Sequence, residues 1–189
     1  VRFLSTSADG TLCFSYDGEL YTMKAGGNPQ KLSINILADA RKNDEQVMRV
    51  SSGSNIAVSP NGKEVAFLYR GDVFVSSVDG GVTKRITATS TQEVGIGFSP
   101  DGKSIIYTAE RNNKWSIFES TKLRADEPYF YASTLIKETP VLDNANDNTQ
   151  PLYSPDGKEI AFVENRNNVR IYNIATKQSR TILGSEQIF

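Results

Sequence analysis

The chain alternates short apolar runs with clusters of turn-forming residues, and three of the runs share one introduction. Val65-Ala66-Phe67-Leu68 comes just after Ser59-Pro60-Asn61-Gly62-Lys63, and Ile105-Ile106-Tyr107 just after Ser99-Pro100-Asp101-Gly102-Lys103. Ile160-Ala161-Phe162 likewise comes just after Ser154-Pro155-Asp156-Gly157-Lys158, and a worn copy, Ser7-Ala8-Asp9-Gly10, precedes Thr11-Leu12-Cys13-Phe14. Pro presets φ at the first corner of a tight turn, Asp or Asn bonds back to its own backbone, and Gly accepts the positive φ that a hairpin needs. Each copy is therefore read as a turn between two strands. In Val65-Ala66-Phe67-Leu68 and Val73-Phe74-Val75 the apolar residues run nearly unbroken, which predicts strands buried on both faces.

The motif glycines fall at 10, 62, 102 and 157, giving spacings of 52 (62 − 10), 40 (102 − 62) and 55 (157 − 102). The shortest is near the roughly 40 to 45 residues of a four-stranded repeat, and the excess in the other two is assigned to loop. Turn signals divide each unit into four short strands, with units at 1–53, 54–93, 94–149 and 150–183. Residues 184–189 read as the lead-in to a further unit. Two segments depart from the scheme: the polar stretch 38–46, read as an insertion at the rim, and Arg124-Ala125-Asp126-Glu127-Pro128-Tyr129-Phe130-Tyr131, an excursion in the last hairpin of the third unit. The fold class this predicts is all-β, four-stranded antiparallel sheets in series.

Composition acts on this picture by exclusion. Lys and Arg number 21 against 22 Asp and Glu and are scattered, so the net charge of −1 offers no electrostatic footprint for nucleic acid or an anionic membrane. No apolar run approaches the roughly 20 residues of a membrane-spanning helix. Cys13 is the only cysteine, which rules out an internal disulfide and a cysteine-based metal site. Set between Leu12 and Phe14, it reads as a small core residue, inert toward oxidants. Histidine is absent, which removes Ser-His-Asp and Cys-His devices, because both need an imidazole that moves a proton near neutral pH. No cofactor is expected.

The order of Ser-Pro-Asp-Gly-Lys, then Ile-Ala-Phe, then a strand such as Asp72-Val73-Phe74-Val75, then Lys84-Arg85-Ile86-Thr87, resembles the propeller repeats of the TolB and tricorn families over almost the whole chain. Asp9 to Thr22, Gly71-Asp72-Val73-Phe74-Val75 and the excursion around Asp126-Glu127-Pro128 are similar to the propeller of bacterial tricorn homologues. The resemblance implies a β-propeller of about four blades that forms part of a larger ring. It further implies a non-catalytic segment that binds or gates peptides for a serine-peptidase core outside this chain. The alternative it implies is a TolB-like protein–protein interaction module with no link to hydrolysis. Peptides or other domains of the parent protein are the implied partners, and apolar blade flanks left exposed invite self-association. The periplasm is the implied compartment, with the cytoplasm as the alternative that the archaeal members suggest. No catalytic residue of the family carries over to a position in this sequence.

Few residues stand out as candidate sites. Trp115, Tyr129, Phe130 and Tyr131 are the aromatic residues expected outside the regular core, where rings anchor peptides at little entropic cost. The competing reading is that the excursion folds back on its own sheet. Asp101 and Asp156 sit in equivalent turns and are assigned to turn chemistry rather than to a carboxylate pair. Asp143-Asn144-Ala145-Asn146-Asp147-Asn148 is rich in oxygen ligands, yet lacks the Gly and closing Glu of a calcium loop and is read as solvated.

Overall fold

A computed structural model describes residues 1–34, 50 and 52–184. The expected rim insertion at 38–46 and most of the expected lead-in at 184–189 lie outside the described residues. The chain divides into two compact units, Val1–Val50 and Ser51–Phe189. The first holds one antiparallel sheet, in the order β1 (Arg2–Thr6), β2 (Leu12–Tyr16), β3 (Glu19–Met23) and β4 (Gln30–Lys31). The second holds three sheets. The second sheet comprises β5 (Ser54–Val58), β6 (Glu64–Tyr69), β7 (Asp72–Ser77) and β8 (Thr83–Arg85), and the third β9 (Glu93–Phe98), β10 (Ser104–Arg111), β11 (Lys114–Lys122) and β12 (Ile136–Leu142). The fourth comprises β13 (Asn148–Tyr153), β14 (Glu159–Glu164), β15 (Asn168–Asn173) and β16 (Gln178–Leu183). Every sheet is an up-and-down meander, and no helix occurs among the described residues.

The repeated motif closes the first hairpin of the second, third and fourth sheets in the same way. In the third sheet Ser99 Oγ donates to Asp101 Oδ1 at 2.7 Å, Asp101 Oδ1 also accepts the Lys103 N–H at 3.1 Å, and Ser99 Oγ accepts the Ser104 N–H at 2.9 Å. Ser154, Asp156, Lys158 and Glu159 repeat these bonds, as do Ser59, Asn61, Lys63 and Glu64. These bonds hold the Asp101 and Asp156 carboxyls below the ordinary aspartate range, Ser99 and Ser154 being the largest causes. The second hairpins use two-residue turns in which both central residues have positive φ: Asp17-Gly18, Arg70-Gly71 and Asn112-Asn113. That turn type matches the right-handed twist of the flanking strands.

The core of the second unit lies between sheets. Ala66, Leu68, Val73 and Val75 of the second sheet pack with Ile105, Tyr107, Ala109 and Phe118 of the third. On the other side of the third sheet, Ile106, Ile117 and Leu142 pack with Ile160, Phe162 and Tyr172 of the fourth. Successive side chains of a strand point to opposite faces, so β10 serves both cores and is buried from Ser104 to Ala109. Here the structure corrects the sequence reading, which gave two-sided burial to the second sheet. β6 is fully buried only on the Ala66 and Leu68 face, while Val65 and Phe67 opposite are half-buried.

Polar bonds cross the same seams. Glu93, buried at the start of β9, accepts Thr87 Oγ1 at 2.9 Å and Thr89 Oγ1 at 2.7 Å and pairs with Arg111 at 3.0 Å. Tyr153 OH donates to Glu119 Oε1 at 2.5 Å between the fourth and third sheets. Burial raises the Glu93 carboxyl above its ordinary value, against the opposing pull of Thr89, Thr87 and Arg111.

Candidate functional site

The first strand of each sheet carries a feature that its sequence hides. Phe3, Asn55, Gly95 and Gln150 all have left-handed backbone, with φ of 54°, 50°, 59° and 55°. Each stands four residues before its motif serine, and at each the pairing with the next strand shifts register. These are β-bulges, in which an extra residue bends the strand and re-aims a side chain. Left-handed backbone is unfavourable by about 1–2 kcal/mol for residues other than Gly and, to a lesser degree, Asn, so two of the four sheets hold a strained residue at this register, Phe3 and Gln150.

In the second unit the three bulges converge. Asn55, Gly95 and Gln150 line one groove of about 350 Å³ together with Trp115, Asp147 and Arg166. Gly95 of β9 faces β13: a Cβ there would stand 3.8 Å from Gln150 Cα and 3.9 Å from Thr108 Oγ1. That spacing is ordinary contact, so the positive φ, not the space, is what calls for glycine. Thr108 is fully buried, and its hydroxyl finds no partner among the described residues. Asp147 fixes the other wall. Its carboxylate accepts the Trp115 N–H at 2.9 Å, while its backbone exchanges bonds with Asn165. Two residues before Gly95, Glu93 is held by its bonds to Thr87 and Thr89 in the connection between β8 and β9.

The aromatic candidates part company. Trp115 lines the groove and is half-buried. Tyr129 and Tyr131 stack on each other at 5.1 Å, both half-buried, beyond the far end of β11. Trp115 is the second residue of that strand and Lys122 its last, about 23 Å along it at a rise of about 3.3 Å per residue, and Tyr129 and Tyr131 follow Lys122 on the excursion. Phe130 is corrected: it is 0% exposed in the core between the second and third sheets, edge-on to Phe98. Its ring has no face to offer a partner. Glu64 of the second sheet draws it in, accepting the Phe130 N–H at 2.6 Å and the Tyr131 N–H at 3.3 Å, while Lys84 donates to the Ser133 carbonyl at 2.5 Å. The excursion is thus a strap from the third sheet onto the second. Burial raises the Glu64 carboxyl above its ordinary value, with the Tyr131 and Phe130 amides and Lys122 opposing.

Beside the strap lies a wider cleft of about 550 Å³ between the motif turns of the second and third sheets, where Lys103, Lys122 and Arg124 face Glu64, Asp101 and Glu127. The charges balance, and most are engaged within the fold: Asp101 in its turn, Glu64 on the strap, Glu127 on Thr134, Lys122 on the Pro128 carbonyl. In the oxygen-rich loop, Asp143 pairs with Lys114 at 2.7 Å and Asn144 Oδ1 accepts from Asn146 and Asn148. Among the described residues no three His, Cys, Asp or Glu side chains gather as metal ligands. Cys13 is half-buried rather than a core residue, because it faces away from Phe14, the buried side chain of β2.

No protein-family model matches the chain, and no curated protein is similar to it in sequence. Solved structures are. A putative TolB from Agrobacterium tumefaciens superposes with a TM-score of 0.57 at 18% identity, over 96% of this chain and 80% of that one. TolB from Acinetobacter baumannii gives 0.53 at 18% identity, over 97% of this chain and 43% of that one. The β-propeller domain of Myceliophteria thermophila Cps50 (Swd1) gives 0.53 at 11% identity, over 97% of this chain and 57% of that one. The shared property is the β-propeller fold. None of the three is a tricorn peptidase, and the expected peptidase link gains no support from them.

Proposed function

We propose that this chain is a non-catalytic propeller module that binds a segment of another protein, TolB-like in kind, through the groove at the β5, β9 and β13 bulges. One observation carries the reading: three equivalent bulge positions with left-handed backbone, one from each sheet of the second unit, meet around the chain's single tryptophan. Bulges re-aim side chains and leave backbone groups outside the ladder. Trp115 supplies apolar area, while Asn55 and Gln150, whose side chains bond to no other described residue, supply amide donors and acceptors for an extended peptide. Tyr129 and Tyr131 are a second, separate contact point on the same reading. The periplasm is the compartment in which we place this activity, and peptide gating for a peptidase is the reading it displaces.

Trp115 reports on the groove by its own fluorescence. Peptides selected against the chain from a random library are expected to shift its emission on binding and to lose about thirtyfold in affinity on Trp115→Ala, the size of an interface hot spot. Peptides that bind tightly while leaving the emission unchanged would move the function elsewhere.

A further inference from the structure

The second hairpin of the fourth sheet is built unlike those of the second and third. Its turn has three residues, Asn165-Arg166-Asn167, between the paired Glu164 and Asn168. Arg166 has left-handed backbone, with a φ of 67°, at the second position of the turn, where the second and third sheets place Gly71 and Asn113. Gly and Asn enter that region readily, whereas arginine does so at a cost. Strain kept at a single side chain is an argument that the side chain is used.

The turn is fastened to the groove. The Asn165 N–H donates to the Asp147 carbonyl at 2.8 Å, the Asp147 N–H to Asn165 Oδ1 at 3.1 Å, and Asn165 Nδ2 to Asn146 Oδ1 at 3.1 Å. These bonds seat Arg166 on the groove that Trp115 and Asp147 also line. The other arginines of the second unit are engaged within the fold: five make ion pairs, and Arg70 lies over the Tyr69 ring at 5.3 Å. Arg166 is exposed, and its side chain has no partner among the described residues. Asp147 forms no ion pair with it; that carboxylate accepts the Trp115 N–H instead.

We propose that Arg166 sets the specificity of the groove by capturing a carboxylate of the bound segment, while Trp115 packs on an apolar side chain next to it. The inference rests on the groove being the binding site. A guanidinium presents parallel N–H donors that match the two oxygens of a carboxylate. Phosphate fits the same fork, but it carries close to two negative charges at neutral pH, and Asp147 in the same groove opposes the second. The ligand is therefore a peptide with a singly charged carboxylate, from an Asp or Glu side chain or from the chain terminus.

Peptides selected from a random library, and shown to shift Trp115 emission on binding, test this. Each is remade with Asp→Asn or Glu→Gln, and separately with an amidated terminus. The change that lowers affinity about tenfold identifies the carboxylate, and Arg166→Gln in the chain should cost about the same. In a double-mutant cycle the two losses should not add. Arg166→Gly, which relieves the left-handed backbone, should bind as weakly as Arg166→Gln yet melt no lower than wild type, so that lost affinity is not lost fold. Peptides that move Trp115 emission but bind wild type and Arg166→Gln equally overturn this proposal and leave the groove reading standing, as do losses that add in the cycle. Tight binding that leaves the emission unmoved overturns both.

Discussion

The motif turns and the first-strand bulges lie four residues apart in every sheet and behave oppositely. In the turn the residue types repeat, and the Ser Oγ and the Asp or Asn Oδ1 are used inside the fold. At the bulge the types differ, Phe3, Asn55, Gly95 and Gln150, while the backbone conformation is held constant. Asn55 and Gln150 bond their side chains to no other described residue. The turn is structure repeated for its own sake; the bulge is a constant geometry on which each sheet places a different side chain. Binding belongs at the second position.

Substitutions can break or sharpen this contrast. The largest effect is expected at Glu93, which ties the start of β9 to the connection from β8. Glu93→Ala removes the buried carboxylate that Arg111, Thr87 and Thr89 share and should destabilise by roughly 3 kcal/mol in urea titration, the scale of a broken buried pair. Ser99→Ala should follow. It strands the buried Ser104 N–H, which costs about 1–3 kcal/mol, and leaves peptide affinity unchanged. Smaller again, Gln150→Gly should raise stability by up to about 1 kcal/mol through relief of the left-handed strain, while weakening peptide binding. A turn serine whose loss weakens binding, or a Gln150→Gly chain that is both less stable and fully competent, would erase the distinction.

The smallest effect is a difference in sign with pH. Glu64 and Glu93 have carboxyls raised by burial, so their contribution is fully present below the ordinary glutamate value near 4.5 and is lost as pH rises through the raised values. Asp101 and Asp156 are depressed, and theirs is present above the ordinary aspartate value near 3.8 and lost as pH falls through the lowered ones. Thermal midpoints of Glu64→Gln should therefore decline less than wild type from mildly acidic to neutral pH, whereas Asp101→Asn should flatten only the acid limb.

The sheets were legible in sequence because the turn chemistry is local: Ser, Pro, Asp, Gly and Lys act on their own backbone within five residues. The bulges were not, since left-handed backbone at Phe3 and Gln150 is imposed by pairing with the next strand. The one available signal was that Asn55 and Gly95, both tolerant of that conformation, share a register. Phe130 was misplaced for a like reason. What buries it is Glu64, sixty-six residues earlier in another sheet. β12 runs through Pro140, which an edge strand tolerates beside the register shift at Ile117 and Phe118. In the groove, Trp115 was singled out as an aromatic residue, while Asn55, Gln150, Asp147 and Arg166 drew no notice as partners because only the fold assembles them.

The central claim is that the bulges, not the motif turns, form the binding surface. Amide and indole chemical-shift mapping of the isotope-labelled chain, titrated with a selected peptide, tests it most directly. The account predicts that perturbations concentrate on Gly95, Gln150 and the Trp115 indole, with Ser99 to Ser104 and Ser154 to Glu159 still. Shifts centred on those turns, with the Trp115 indole unmoved, would contradict it.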